Sequence, residues 1–188
     1  VAVTTYGGPE ALELVDLPEV HAGPGEVRLS VYAATVNPTD TYVRNGDRAK
    51  AQQADPGPYV PGMDAAGIVD EVGDGVTTGI AVGDRAMAIV VPKCTHGAYR
   101  ESLVLPAESV TRAPQGTSHA EASTLPMNGL TARLSLDLLG LQPGQTIAVT
   151  GAAGCYGGYM VQLAKADGLT VIADATDADT ELVASLGA

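Results

Sequence analysis

Thr146 to Gly158, TIAVTGAAGCYGG, decides how the chain is read, because an apolar strand-like run stops there at a glycine-rich turn and becomes a helix-like pattern. Ile147, Ala148 and Val149 have the character of a short parallel strand buried on both faces. The small residues of Gly151-Ala152-Ala153-Gly154-Cys155-Tyr156-Gly157-Gly158 let backbone approach a pyrophosphate. Its charge then meets the free N–H groups and positive dipole end of the next helix. That helix is expected over Tyr159 to Asp167, with Met160, Leu163 and Ala164 at inward spacing and Gly168 as its stop. Thr170 to Ala173 completes a unit of strand, glycine turn, helix and strand. The string A-x-G-x-x-G, carried by Ala152, Gly154 and Gly157, is a relaxed G-x-G-x-x-G and weak alone, but the flanking strand and helix supply the context it requires. The alternative is a tight turn that only packs helix against strand.

Upstream, residues 1 to about 112 are dense in short alternating runs separated by Gly and Pro, as in an all-β barrel or sandwich. Glu26 to Thr35 alternates Val27, Leu29 and Val31 against Arg28, Ser30 and Tyr32, a half-buried strand. Asn37-Pro38-Thr39-Asp40 breaks it, and Thr39 or Asp40 is placed to cap a short helix that stops near Asn45-Gly46. Arg48 to Pro61 reads as a surface loop of the kind that covers a cleft. Ala65 to Val72, Ala86 to Val91 and Ala98 to Leu105 are further strand candidates. From Ser118 the period changes: Ser118-His119-Ala120-Glu121 is a capping box, with a helix expected to Leu125. Pro126 interrupts, and Asn128 to Leu139 sets Leu130, Leu134 and Leu138 at helical spacing. A last helix begins near Thr176-Asp177-Ala178-Asp179 and ends at Gly187. Only two strands of the α/β unit are then present, too few for a freestanding parallel sheet, so the chain is expected to stop in mid-domain.

The 188 residues can bury roughly 70% of their unfolded surface, enough for one good core or two small ones. Ten basic against twenty-two acidic residues give a net charge of −12, which argues against nucleic acid and anionic membrane surfaces as partners. No apolar run approaches the roughly 20 residues of a membrane span, and no leader pattern opens the chain, so a cytoplasmic location is expected. Cys94 and Cys155 make neither a disulfide framework nor a C-x-x-C metal spacing, and both read as free thiols. His21, His96 and His119 are scattered, without partnered carboxylate spacing, and read as surface or turn residues.

Several strings together resemble the medium-chain dehydrogenase/reductase superfamily and, within it, the zinc-independent quinone oxidoreductase (zeta-crystallin-like) branch. Asn37-Pro38-Thr39-Asp40-Thr41-Tyr42-Val43-Arg44-Asn45-Gly46 looks like that branch's N-P-x-D-x-Y-x-R-x-G segment. Pro61-Gly62-Met63-Asp64-Ala65-Ala66-Gly67, Val72-Gly73 and Gly83-Asp84-Arg85 resemble the superfamily's barrel signature. Leu130-Thr131-Ala132, the glycine turn and Val161-Gln162-Leu163-Ala164-Lys165-Ala166 match its bridge and cofactor segment. The resemblance implies an α/β protein with an all-β part. A GroES-like β-barrel catalytic domain over residues 1–117 is followed by a helical bridge over 118–143. The N-terminal part of a Rossmann domain, a doubly wound parallel sheet, covers 144–188. It also implies a small-molecule acceptor and a homodimer in a full-length parent.

Zinc alcohol dehydrogenases of this superfamily carry a cysteine where this chain has Asn37 and a histidine where it has Met63, together with a four-cysteine lobe that this chain lacks. Without that electrophile, hydride delivery to an already activated acceptor, a quinone or an α,β-unsaturated carbonyl, is the implied chemistry. By the same resemblance NADPH lies across the turn with its nicotinamide end towards the barrel, and the protein supplies orientation and polarity at the transferring carbon. Asn37 and Thr131 are candidates for polar contacts near the nicotinamide or acceptor oxygen, and Tyr42 for a hydrogen bond or proton to that oxygen. Each also has an ordinary reading: a turn residue before proline, a helix residue capped by its own backbone, a half-buried helix residue. Ala152, Gly154, Cys155, Tyr156 and Gly157 are the candidate turn contacts, although Cys155 and Tyr156 stand where the branch has glycine and a small aliphatic residue. Lys165 is the candidate partner of an adenosine 2′-phosphate, or a solvated helix lysine. Asp174, at the end of the second strand, is placed to hold the two ribose hydroxyls of NADH instead, so NADH stays open beside NADPH. An enoyl-thioester reductase of the same superfamily is the near rival. A non-catalytic fragment that binds a partner chain or a nucleotide is the rival from another class.

Overall fold

A computed structural model describes residues 1–47 and 57–188, and the chain divides into two compact units, Val1–Pro126 and Met127–Ala188. Most of the expected Arg48 to Pro61 loop, residues 48–56, lies outside the described residues. In the first unit β1 (Ala2–Val3) pairs antiparallel with β2 (Leu12–Glu13). The main sheet is wholly antiparallel and holds β3 (Glu26–Ala34), β4 (Asp64–Val72), β5 (Arg85–Ile89), β6 (Ser102–Pro106) and β7 (Val110–Arg112), in the order β6-β3-β4-β5-β7.

The period-2 pattern explains the burial. Val27 and Leu29 of β3 face Leu105 and Leu103 of β6 in register and are closed off from solvent with Val69, Ala86 and Ala88. Burying each of the larger side chains contributes about 1.5–3 kcal/mol. Gly67 of β4 pairs with Val31 where the register shifts, and a Cβ there would stand 1.9 Å from the Ser30 carbonyl oxygen, so β3 and β4 can approach only over a glycine. Ala98 to Arg100 stay outside the strand expected to begin at Ala98. Their N–H groups go to Gly62, Pro61 and Ala98 carbonyls, so no ladder forms before Ser102.

Helix α1 (Pro38–Asn45) starts two residues earlier than a Thr39 cap, and three earlier than an Asp40 cap, would set it. Asn37 is the N-cap, Pro38 supplies the fixed φ of the first helical position, and Gly46 at φ +87° ends the helix. Helix α2 (His119–Ser123) carries the expected capping box: the Ser118 hydroxyl accepts the Glu121 N–H at 3.1 Å and Glu121 Oε2 accepts the Ser118 N–H at 2.7 Å. The helix ends before Leu125.

Helix α3 (Pro126–Leu139) turns Ala132 and Leu136 into the core of the second unit, leaving Leu130, Leu134 and Leu138 on its exposed side. Strand β8 (Thr146–Val149) pairs in parallel with β9 (Thr170–Ala173), joined by α4 (Cys155–Ala166). Ile147, Val149 and Val171 are buried with Met160, Val161 and Ala164 of α4. Ala148 and Ile172, on the alternate face, are exposed, which corrects the expectation of a strand buried on both sides: within this unit helices cover one face of the sheet. Helix α5 (Thr180–Ser185) packs Val183 into the same core.

Candidate functional site

The glycine turn follows β8 directly. Gly151 adopts φ +67° and Gly154 is the N-cap of α4 without a capping side chain, so it leaves the first-turn N–H groups of α4 uncapped by its own side chain. A Cβ on Gly157 would stand 2.2 Å from the Gly151 carbonyl oxygen and 2.8 Å from the Ala152 Cα, so the turn closes only around a hydrogen at that position. Ala152 is buried and Gly157 lies beneath the turn, while Gly154, Cys155 and Tyr156 are exposed at its rim. These are donor groups and clearances that suit a pyrophosphate. The two departures from the branch pattern differ in consequence. Cys155 leaves its thiol at the rim, whereas the Tyr156 hydroxyl donates to Ser135 Oγ on α3 at 2.8 Å, which fixes the phenol against that helix.

Asp174 follows the last residue of β9. Its N–H donates to the Val149 carbonyl at 3.3 Å and its carboxylate accepts the Ala152 N–H at 3.1 Å, so the acid clasps the glycine turn. The N–H groups of Gly151 and Ala152 hold this carboxyl below the usual aspartate range. Lys165 is not brought to the turn. It lies in the last turn of α4 with its stem against Gly187, roughly 15 Å along the helix axis from Cys155 by the rise of ten residues.

In the first unit the expected site residue Asn37 is only 3% exposed. Its backbone N–H donates to Asp40 Oδ2 at 2.7 Å and its side-chain Nδ2 to Asp64 Oδ2 at 2.7 Å. Asp40 also accepts the Gly62 N–H at 2.9 Å and the Tyr99 hydroxyl at 3.2 Å. Burial first, and then the charge of Asp40, push the Tyr99 phenol well above its usual range, which keeps it a donor. Two buried acids, Asp40 in the first turn of α1 and Asp64 at the start of β4, are thus satisfied by hydrogen bonds. Reading residue types had singled out Asn37 and passed over Asp64, although an acid inside the apolar run Met63-Asp64-Ala65-Ala66-Gly67-Ile68-Val69 was its signal. Met63 receives the Thr39 hydroxyl on its sulfur at 3.0 Å.

Tyr42 is 45% exposed on α1 and so stands free of the buried cluster at the start of its own helix. Thr131 belongs to the second unit, where its hydroxyl donates to the Met127 carbonyl one turn earlier on α3 at 2.6 Å. His21 corrects the reading of unpartnered histidines: its Nδ1 lies 2.8 Å from Glu71 Oε1, across a sequence gap of 50 residues. Among the described residues no group of three or more His, Cys, Asp or Glu side chains is arranged to hold a metal ion, and no helix is long and apolar enough to cross a membrane.

Residues 23–115 match the alcohol dehydrogenase GroES-like domain. The quinone oxidoreductase of Pseudomonas aeruginosa is 36% identical over 176 residues, covering 92% of this chain and 51% of that protein. A mycobacterial protein solved in complex with NADPH superposes with a TM-score of 0.79 at 33% identity, covering 100% of this chain and 56% of that one. The CurK enoyl reductase superposes with a TM-score of 0.83 at 25% identity, over 98% and 56%. The chain spans about half the length of the quinone oxidoreductases it matches, 51–56%. The antiparallel first unit, the strand–turn–helix of the second and these relatives agree, and the chain belongs to the medium-chain dehydrogenase/reductase superfamily, in its quinone oxidoreductase branch.

Proposed function

We propose that this chain belongs to an oxidoreductase that delivers hydride from a reduced nicotinamide dinucleotide to a quinone or an α,β-unsaturated carbonyl, without zinc. The observation that carries it is the glycine turn, closed tightly over Gly157 and opening its uncapped N–H groups at the start of α4. When bound, the nicotinamide supplies a hydride, and a proton completes reduction of the acceptor. The chain's own part is to hold the pyrophosphate on the first-turn N–H groups of α4 and to set polarity at the acceptor.

Tyr42, with its exposed hydroxyl, is the residue we assign to a hydrogen bond or proton at the acceptor oxygen. Thr131 serves as a polar contact through the lone pairs its hydroxyl retains after donating to Met127. Asn37 acts from beneath, as the buried N-cap that fixes α1 and therefore Tyr42. In place of the zinc ligands of alcohol dehydrogenases stand an amide that donates to Asp64 and a thioether that receives Thr39, a set suited to neither Lewis-acid role nor tetrahedral zinc. The choice between NADPH, which the family resemblance implies, and NADH turns on the charge at the end of β9.

Mixing the chain with either reduced dinucleotide and a benzoquinone or an enone, and following the loss of reduced-nicotinamide absorbance, tests this reading. Oxidation that a metal chelator leaves unchanged is expected. A second reading, reduction of an enoyl thioester, is favoured by the likeness to an enoyl reductase. Turnover of a crotonyl thioester with no reaction on quinone or enone would select it. Dinucleotide binding without turnover of any acceptor would leave the non-catalytic alternative.

A further inference from the structure

We infer that Tyr156 and Ser135 are positioning residues, which hold Thr131 at a set place and orientation relative to the glycine turn. The inference rests on the proposed reading of that turn as the dinucleotide site and of Thr131 as a contact at its nicotinamide end, and names what fixes one against the other. All the residues involved belong to the second unit. A small aliphatic side chain, which the branch has where this chain has Tyr156, cannot make the bond described next. The link is therefore this chain's own.

The Tyr156 hydroxyl donates to Ser135 Oγ at 2.8 Å, Ser135 Oγ donates to the Thr131 carbonyl at 2.8 Å, and the Thr131 hydroxyl donates to the Met127 carbonyl at 2.6 Å. Each hydroxyl carries a single proton, which gives the chain one direction. Ser135, having donated to Thr131, meets the phenol with lone pairs only, so Tyr156 must be the donor. Thr131, having donated to Met127, likewise has only lone pairs to offer a ligand. That suits a carboxamide N–H of nicotinamide and not a carbonyl oxygen.

The same two helices are tied at a second point. Arg133 Nη1 donates to Asp167 Oδ2 at 2.7 Å, and Asp167 is the C-cap of α4. Arg133 and Ser135 stand two residues apart on α3, yet their partners lie roughly 16 Å apart along α4 by the rise of eleven residues. Between the anchors the contact is apolar, Ala132 and Leu136 against Met160, Val161 and Ala164. Apolar contact has no preferred direction and lets one helix roll on another. Two polar anchors so far apart stop that roll, and the phenol, a flat body with two torsions, acts as a spacer of set length at the turn.

The test is calorimetric titration of the whole chain with NADH, NADPH and ADP-ribose, which keeps the adenosine, both phosphates and the second ribose but has no nicotinamide. It is run on the wild type, Tyr156→Phe, Ser135→Ala, Thr131→Val and the pair Tyr156→Phe/Thr131→Val. Tyr156→Phe and Ser135→Ala are each expected to weaken whichever reduced dinucleotide binds more tightly by about three- to tenfold while ADP-ribose stays within about twofold. Thr131→Val should show the same selective loss, and adding Tyr156→Phe to it should cost little more, because both act through one contact. Equal weakening of dinucleotide and ADP-ribose by Tyr156→Phe, which a merely structural bond at the turn would give, overturns the inference. So does unchanged dinucleotide affinity, or full additivity in the paired variant. Wild type that binds ADP-ribose as tightly as the reduced dinucleotides overturns it too, and leaves the turn as a dinucleotide site. Binding of none of the three to folded wild type, checked by circular dichroism, overturns the dinucleotide reading and this inference with it.

Discussion

In the first unit, Asp40 in the first turn of α1 and Asp64 at the start of β4 are buried and accept hydrogen bonds from the Asn37 N–H, the Asn37 side chain, the Gly62 N–H and the Tyr99 hydroxyl. In the second unit, Asp174 clasps a turn with a similar bond to Ala152 but stands in solvent. All three are aspartates accepting N–H groups, yet the energetics differ. A buried carboxylate has given up its hydration, and its partners have given up theirs, so removing it leaves orphaned donors in a dry place. An exposed one leaves donors that water can satisfy, and what disappears is the charge and its geometry. The first arrangement holds a helix in place, whereas the second leaves a charge standing at the surface of a turn.

The sharpest way to break this contrast is Asp40→Ala, which strands two backbone N–H groups and the Tyr99 hydroxyl. It should destabilise the first unit by about 3 kcal/mol or more, read from the midpoint of urea unfolding. Hydrogen exchange should accelerate along Glu26–Ala34 while Thr146–Val149 keeps its protection; uniform loss across both units would merge what is here set apart. Gly157→Ala comes next, at about 1–3 kcal/mol, because its Cβ would collide with the Gly151 carbonyl oxygen. Here the exchange should rise around the turn and dinucleotide fluorescence enhancement should vanish. Tyr156→Phe removes one exposed hydrogen bond to Ser135 and is expected to lower stability by only about 0.5–1 kcal/mol.

The smallest effect is electrostatic. Asp174 has its folded-state pKa depressed, so its contribution is present above the unfolded aspartate value near 3.8 and is lost as pH falls below it through the folded value. The difference in urea midpoint between wild type and Asp174→Asn should therefore be seen at neutral pH and shrink below about pH 4. A difference that grows on acidification would contradict the clasp.

How much of this was legible in the sequence depended on range. Strands β3, β8 and β9 and the core residues Met160 and Ala164 of α4 could be read because a period of 2 or 3.6 is a local property, visible without knowing any partner. Helix α3 shows the limit of that signal. Its leucines recur every four residues, but so do Ala132 and Leu136, and the chain buries the smaller pair; spacing defines a face without saying which neighbour covers it. The Asn37–Asp64 bond spans 27 residues and the His21–Glu71 pair 50, separations over which residue type carries no distance information. Lys165 shows a simpler limit. A helix carries its last turn away from its first by a fixed rise, so nearness in sequence to the glycine turn does not set a side chain beside that turn.

The crossing of β3 and β4 at Gly67 bears on how the chain tolerates change. A saturation library at this position, sorted for folded protein, should return essentially one residue, because even a methyl group would lie inside the contact radius of the Ser30 carbonyl oxygen. The neighbouring Ile68, partly open to solvent on the other face, should return many. A single hydrogen-sized clearance thus makes position 67 nearly immovable to mutation directly beside a half-open position that is free to drift.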